Sequence, residues 1–275
     1  MNTLKVRVIP IILLRNGVVV RSRNFHFYQV VGNPFAQVER YNTWNVDELI
    51  YLDISRKGNI DIDETASVIG ATSAQKRYIN MIPTNIYEFV EYLSKKCFMP
   101  LTFGGGINSM EQIRRILKSG ADKITLNSAA FKKPDLVTDA AKEFGSQSII
   151  VSIDCKKTDM GYEVFIEGGK TGTGVSALDW AFKAKELGAG ELLINSIDRD
   201  GTGSGFDLEL YEPIIQNVNL PVIICGGAGK IEHFSQAYAK IKPHALSAAN
   251  IFHFIEHSDL LIKRHLSQKN INIRV

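Results

Sequence analysis

Eight short β-rich runs separated by helix-patterned segments narrow the folds open to this chain more than any other feature. The runs are VRVIPIILL (6–14), ELIYLDI (48–54), PLTFGGGI (100–107), DKITLN (122–127), SIIVSIDC (148–155), ELLINSI (191–197), PVIICGG (221–227) and HALSAAN (244–250). Between most of them lies an amphipathic stretch, such as MEQIRRILKSGA (110–121) or ALDWAFKAKELGA (177–189), with a glycine near its end as helix C-termini prefer. Strands joined through helices run parallel, because the crossover carries the chain back to the end of the sheet from which it started. Eight such units predict an α/β fold of the (βα)8 TIM-barrel class; an open, doubly wound sheet is the alternative.

The second half of the chain repeats the first. TFGGGINSMEQ (102–112) corresponds to IICGGAGKIEH (223–233), ELIYL (48–52) to ELLIN (191–195), and LNSAAF (126–131) resembles LSAANIF (246–252). A two-fold half-barrel repeat implies that function on one side of the mouth recurs opposite. The regular spacing breaks at about 56–83, RKGNIDIDETASVIGATSAQKRYINMIP, where such barrels use roughly 2–6 residues. This reads as an insertion after strand 2 on the active-site face, or as a decoration with a packing role. With 45% hydrophobic and 22% charged residues the chain can form one large core, so a single domain over 1–275 is expected.

The formal charge of +3 is small and spread among acids, which gives no nucleic-acid or membrane footprint but suits a small anionic ligand. Cys97, Cys155 and Cys225 form no CxxC pair, which argues against a disulfide framework or a zinc site; neither metal nor other cofactor is expected. A reducing cytoplasm fits that usage. The opening MNTLKVRVIPIILL has basic residues before a short apolar run, but Pro10 and the lack of a small-residue cleavage site argue against a signal peptide. No apolar run approaches the ~20 residues that span a bilayer.

Gly104–Gly106 end strand 3 and Gly226–Gly227 end strand 7, each just before a helix. Glycine lets backbone N–H groups reach an anion, and the helix start adds positive potential, so both clusters read as phosphate cradles; singly, each would be only a turn. Asn127–Ser128 after strand 4 and Ala249–Asn250 after strand 8 lie where further donors complete them. Asp53, Asp154, Asp198 and Asp200 lie at or after strand ends, placed for acid–base work, although Asp198 equally shapes the DRDG turn. His26, His233 and His253 show no ligand spacing and read as structural or surface residues. At the opposite face, Arg7, Glu48, Lys123 and Glu191 precede strands 1, 2, 4 and 6. Such charges can simply close the foot of the barrel, and a gate is the second reading.

TFGGGI, CGGAGKIEHF, SIIVSIDCK and NSIDRDGTGSGFD resemble the cyclase subunit of imidazole glycerol phosphate synthase, from about residue 5 to the C-terminal NINIRV. The resemblance implies a glutaminase partner at the N-terminal face and passage of ammonia through the barrel. At the far end, ammonia would react with a bis-phosphate ribonucleotide and close an imidazole ring. It also implies one phosphate site at Gly105, Asn127 and Ser128, a second at Gly226, Gly227, Ala249 and Asn250, and an ammonia gate of Arg7, Glu48, Lys123 and Glu191. Asp154 matches one of the family's two catalytic aspartates, but Leu13 stands where the other belongs. Arg21 replaces a lysine and Asn195 a threonine; with Asp200 and Asp154 they form the expected catalytic set.

Leucine transfers no proton, so cyclisation should fall by the ~10²–10⁴ typical of one acid–base group. The departure favours a divergent, cyclase-like subunit that supplies ammonia for amidinating nucleotide-linked surface sugars, with a sugar amidotransferase as a further partner. An authentic histidine-pathway cyclase and a non-catalytic phosphoribosyl-ligand scaffold are the alternatives.

Overall fold

The computed structural model describes residues 4–55 and 82–274. Nearly all of the 56–83 insertion therefore lies outside the described residues. In chain order the first half contributes β1 (Arg7–Arg15), β2 (Val18–Arg23), β3 (Phe27–Gly32), α1 (Pro34–Trp44), β4 (Leu49–Asp53), α2 (Ile86–Lys96), β5 (Leu101–Gly104), α3 (Met110–Lys118), β6 (Lys123–Leu126), α4 (Ser128–Lys132) and α5 (Asp135–Phe144). The second half contributes β7 (Ile149–Thr158), β8 (Gly161–Ile166), β9 (Thr171–Ser176), α6 (Ala177–Glu186), β10 (Glu191–Ser196), α7 (Leu208–Asn217), β11 (Val222–Cys225), α8 (Ile231–Ile241), β12 (Ala245–Ala248), α9 (Ile251–Phe254) and α10 (Ser258–Gln268).

Parallel pairing runs β10–β11–β12–β1–β4–β5–β6–β7, and β7 pairs again with β10. The ring is closed: this is the (βα)8 TIM barrel, and the doubly wound alternative falls because an open sheet has two edges. Alternation along each strand builds two cores. In β1, Val8, Ile12 and Leu14 face the helices, while Ile9 and Ile11 point into the lumen with Ile50, Ile150, Leu193, Ile223 and Ala245.

Local chemistry sets the helix ends. The Asn33 side chain accepts from Phe35 N and Ala36 N, Pro34 occupies the first turn, and α1 stops at Asn45, whose φ of 55° is left-handed. Gly120 and Gly188, with φ of 103° and 101°, follow α3 and α6 as the sequence indicates.

Two antiparallel hairpins stand on the C-terminal face, and the expected alternation of strands and helices did not include them. β2–β3 grows from β1 and β8–β9 from β7, at equivalent points of the repeat. The entry into the first had a readable signal: Asn16–Gly17, with φ of 49° and 76°, is the dipeptide of the tight two-residue turn that joins β1 to β2.

Candidate functional site

At the N-terminal face, Arg7, Glu48, Lys123 and Glu191 form one closed circuit of ion pairs. Arg7 bonds Glu48 at 2.7 Å and also bonds Glu191; Lys123 reaches Glu48 and Glu191, each at 3.2 Å. Positive and negative charges alternate round the foot of the barrel, so every charge has two opposite neighbours. Burial opposes the Arg7 charge, but Glu191 first and Glu48 second more than offset it and hold the guanidinium pKa above its ordinary value.

Above this ring the lumen is apolar on one side and increasingly polar on the other. In register, β1 and β4 pair Leu13 with Leu52, and β7 and β10 pair Asp154 with Asn195. These are corresponding positions of the two half-barrels: one pair is hydrocarbon, the other a carboxylate beside an amide. Asp154 is 8% exposed and accepts from Asn127 Nδ2 at 3.0 Å and from Asn195 Nδ2 at 3.4 Å. Asn195 Oδ1 and Thr125 Oγ1 are buried with no hydrogen-bond partner among the described residues.

The glycine turns repeat at their first residue. Gly105 and Gly226 have φ of 100° and 105°; a Cβ on Gly105 would lie 1.9 Å from Asp53 O, and one on Gly226 2.8 Å from Ser196 O. Around the second turn, Gly226, Gly227, Ala249 and Asn250 line a cavity of about 170 Å³, with Arg21 at its margin. Around the first, the donors are engaged internally: Asn127 Nδ2 also reaches Ser152 O at 3.1 Å. Ser128 Oγ donates to Asn127 Oδ1 at 3.2 Å and accepts from Glu167 N at 2.8 Å.

The other expected residues fall at the rim. Arg21 bonds Gln29 and lies with its guanidinium 4.8 Å from the centre of the Phe254 ring. Asp200 is 9% exposed; burial raises its carboxyl pKa, and a hydrogen bond from Ser22 works against that rise. That bond, with Asn24 N to Asp200 O at 2.9 Å and Asn24 Nδ2 to Asp198 O at 3.0 Å, fastens the β2–β3 turn to the segment after β10. Ser22 and Asn24 escaped sequence reasoning because only the folded barrel brings them beside Asp200.

The Asp198 carboxylate accepts Lys157 N at 2.8 Å, which ties the segment after β10 to β7. Asp53 accepts from Ser55 N at 2.9 Å, and burial raises its pKa. His253 is pushed down to about 4, chiefly by burial, then by Arg40 and Arg21; burial also lowers His233. His26 lies in the turn between β2 and β3. Among the described residues, no three His, Cys, Asp or Glu side chains gather in a metal-holding group, and no helix is long and apolar enough to cross a membrane.

Fold and site together define a half-repeat barrel closed by paired charges at one end and lined by glycine turns and a cavity at the other. The chain belongs to the HisF-like cyclase family: the histidine biosynthesis protein family matches residues 82–258. It is 40% identical over 269 residues to the imidazole glycerol phosphate synthase subunit HisF of Alkaliphilus metalliredigens, covering 98% of each chain. It is 38% identical, with the same coverage, to the subunit of that name from Natranaerobius thermophilus.

Proposed function

We propose that this chain is the ammonia-accepting, cyclase-type subunit of an imidazole glycerol phosphate synthase-like glutamine amidotransferase, and that it delivers ammonia for amidination of a nucleotide-linked surface sugar. A glutaminase docks on the face that carries Arg7, Glu48, Lys123 and Glu191, and these four residues gate the ammonia it releases. The gas crosses a lumen lined by Ile9, Ile11, Ile50 and Leu193. An unpaired ammonium ion would lose its hydration there at a cost of several kcal/mol, so nitrogen travels as neutral NH3.

Leu13 carries the reading. Paired acid–base chemistry at the mouth needs a proton-transfer group opposite Asp154, and the corresponding strand position presents hydrocarbon packed with Leu52. The subunit then acts chiefly as a conduit, and a sugar amidotransferase receives the ammonia beside residues 56–83. Asp154, Asn195, Asp200 and Arg21 supply the polar surroundings of the exit. The cradle at Gly226, Gly227, Ala249 and Asn250 binds a phosphorylated small molecule, with Gly105, Asn127 and Ser128 its counterpart opposite.

The deciding experiment supplies the bis-phosphate ribonucleotide and excess ammonium chloride and measures imidazole glycerol phosphate. The wild type is expected to form almost none, yet to pass ¹⁵N from [amide-¹⁵N]glutamine to a sugar acceptor when glutaminase and amidating enzyme are present. Robust imidazole glycerol phosphate turnover would overturn the proposal. It would instead favour the second reading, an authentic cyclase of histidine biosynthesis, which the open second cradle and the near-complete coverage of the two HisF subunits support.

A further inference from the structure

Lys263 is a fully buried cation on the last helix, with a side chain 1% exposed. Its Nζ donates to Asp47 Oδ1 at 2.9 Å and to Asn45 O at 3.0 Å, and pairs with Asp259 Oδ2 at 3.1 Å. The second oxygen of Asp47 accepts the backbone N–H of Val8 at 3.0 Å. The neighbours in sequence matter here. Asp47 directly precedes Glu48 and Val8 directly follows Arg7, and Arg7–Glu48 is the 2.7 Å pair of the charged ring. One ammonium group on α10 thus holds both backbones that present that pair.

The same backbone clamp recurs round the foot without a buried cation described at it. Asp122, just before Lys123, accepts Leu101 N at 2.8 Å, and His244 Nδ1, just before Ala245, accepts Val222 N at 3.2 Å. Before Glu191 stands Gly190, which has no side chain to clamp with. Stability alone does not call for such a cluster, because well-packed hydrocarbon commonly stabilises a protein as well as a buried ion pair does. What the charged version adds is fixed geometry at a chosen spot.

We infer that Lys263, acting through Asp47, is a positioning residue for the Arg7–Glu48 pair and couples the seating of the C-terminal helix to the opening of the ring. The inference rests on the reading of the ring as an ammonia gate given under Proposed function. Three variants of the full chain, assayed with the glutaminase and the amidating enzyme, separate the two. D47A removes the clamp but keeps the Lys263–Asp259 pair, K263M removes the cation, and D259N leaves both Asp47 bonds in place.

Hydrogen exchange at the Val8 amide should accelerate about tenfold in D47A, the effect of losing one hydrogen bond, and in the same direction in K263M, where Asp47 loses the cation that holds it, while β10 and α6 keep native rates. D259N should leave Val8 unchanged. The yield of ¹⁵N in acceptor per glutamine hydrolysed should fall several-fold in D47A and K263M, as in R7A. Unchanged Val8 exchange in D47A, or acceleration in equal proportion throughout the barrel, would overturn the positioning role. A lower yield in R7A with an unchanged yield in D47A would overturn the coupling while sparing the gate. An unchanged yield in R7A would remove the gate reading, and with it this inference.

Discussion

The two half-barrels share a backbone and differ in the chemistry they place on it. At the upper end of the lumen, Leu13 pairs with Leu52 in the first half and Asp154 with Asn195 in the second. Below, each half keeps its glutamate, Glu48 or Glu191, while both ring cations, Arg7 and Lys123, come from the first half. The backbone-shaping glycines are therefore two-fold symmetric while the side chains at the upper end of the lumen are not. Gly105 and Gly226 fill their corners against Asp53 O and Ser196 O in the same way. Symmetric glycines mark what the fold needs; asymmetric side chains mark what the function needs.

The most drastic way to erase the difference is Leu13→Asp, which puts a carboxylate opposite Asp154. Imidazole glycerol phosphate formation with ammonium chloride should rise by ~10²–10⁴ over the wild type. No rise would mean that Leu13 is not what limits cyclisation.

Next in size, Gly105→Ala and Gly226→Ala test the symmetry itself. Each forces a side chain to positive φ against a carbonyl, so both should lower stability by roughly 1–3 kcal/mol or more in denaturant melts. A harmless Gly226→Ala beside a damaging Gly105→Ala would show that the turns are not equivalent.

The feet of the two halves differ as well, since an aspartate precedes Glu48 and a glycine precedes Glu191. The first half thereby gathers two buried carboxylates, Asp47 and Asp259, round Lys263. Burial, against the pull of Lys263, pushes Asp259 up to about 7. An acid raised in the folded state binds its proton more tightly there than in the unfolded chain. Its stabilising contribution is complete below about pH 4 and is lost as pH rises through about 7. Asp259→Asn should therefore flatten the melting temperature between pH 5 and 8, recovering on the order of a few kcal/mol at the alkaline end. A pH profile with the same slope in the variant would place the titration elsewhere, for example at Asp53 or Asp200, which burial raises too.

The smallest expected difference concerns the cradles. Inorganic phosphate should perturb the amide resonances of Gly226 and Gly227 at lower concentration than that of Gly105. Asn250→Ala should weaken the second site by a few-fold, while Ser128→Ala changes little, because the Ser128 hydroxyl is already shared between Asn127 and Glu167. Equal titration of both turns would show that the internal bonds of the first do not hold it closed.

The eight barrel strands and the four ring charges were legible in sequence because both depend on period and order, which folding preserves. Leu13 was legible for the same reason: the repeat sets it against Asp154. Strands β2 and β3 hid in a run that reads as one strand and a loop, although Asn16–Gly17 marked the turn from β1 into β2. Asp200 could be read as a strand-end carboxylate but not as the fastening of that hairpin, since Ser22 lies 178 residues away. Lys263 was harder still. Asp259 and Lys263 stand four apart, the spacing of an ordinary solvent-facing pair, yet α10 packs on α8 and β1 and buries both. A helical pattern gives the stripe, and only the neighbours decide which stripe sees water.

If ammonia enters at the foot as proposed, the ring has a consequence for how it is selected. Two cations and two anions cancel, so the aperture projects almost no field into the space where a glutaminase would release its product. It neither gathers ammonium from the bulk nor repels it. Discrimination at such a gate would work by hydration instead of by sign, admitting what arrives already neutral and leaving the solvated ion outside.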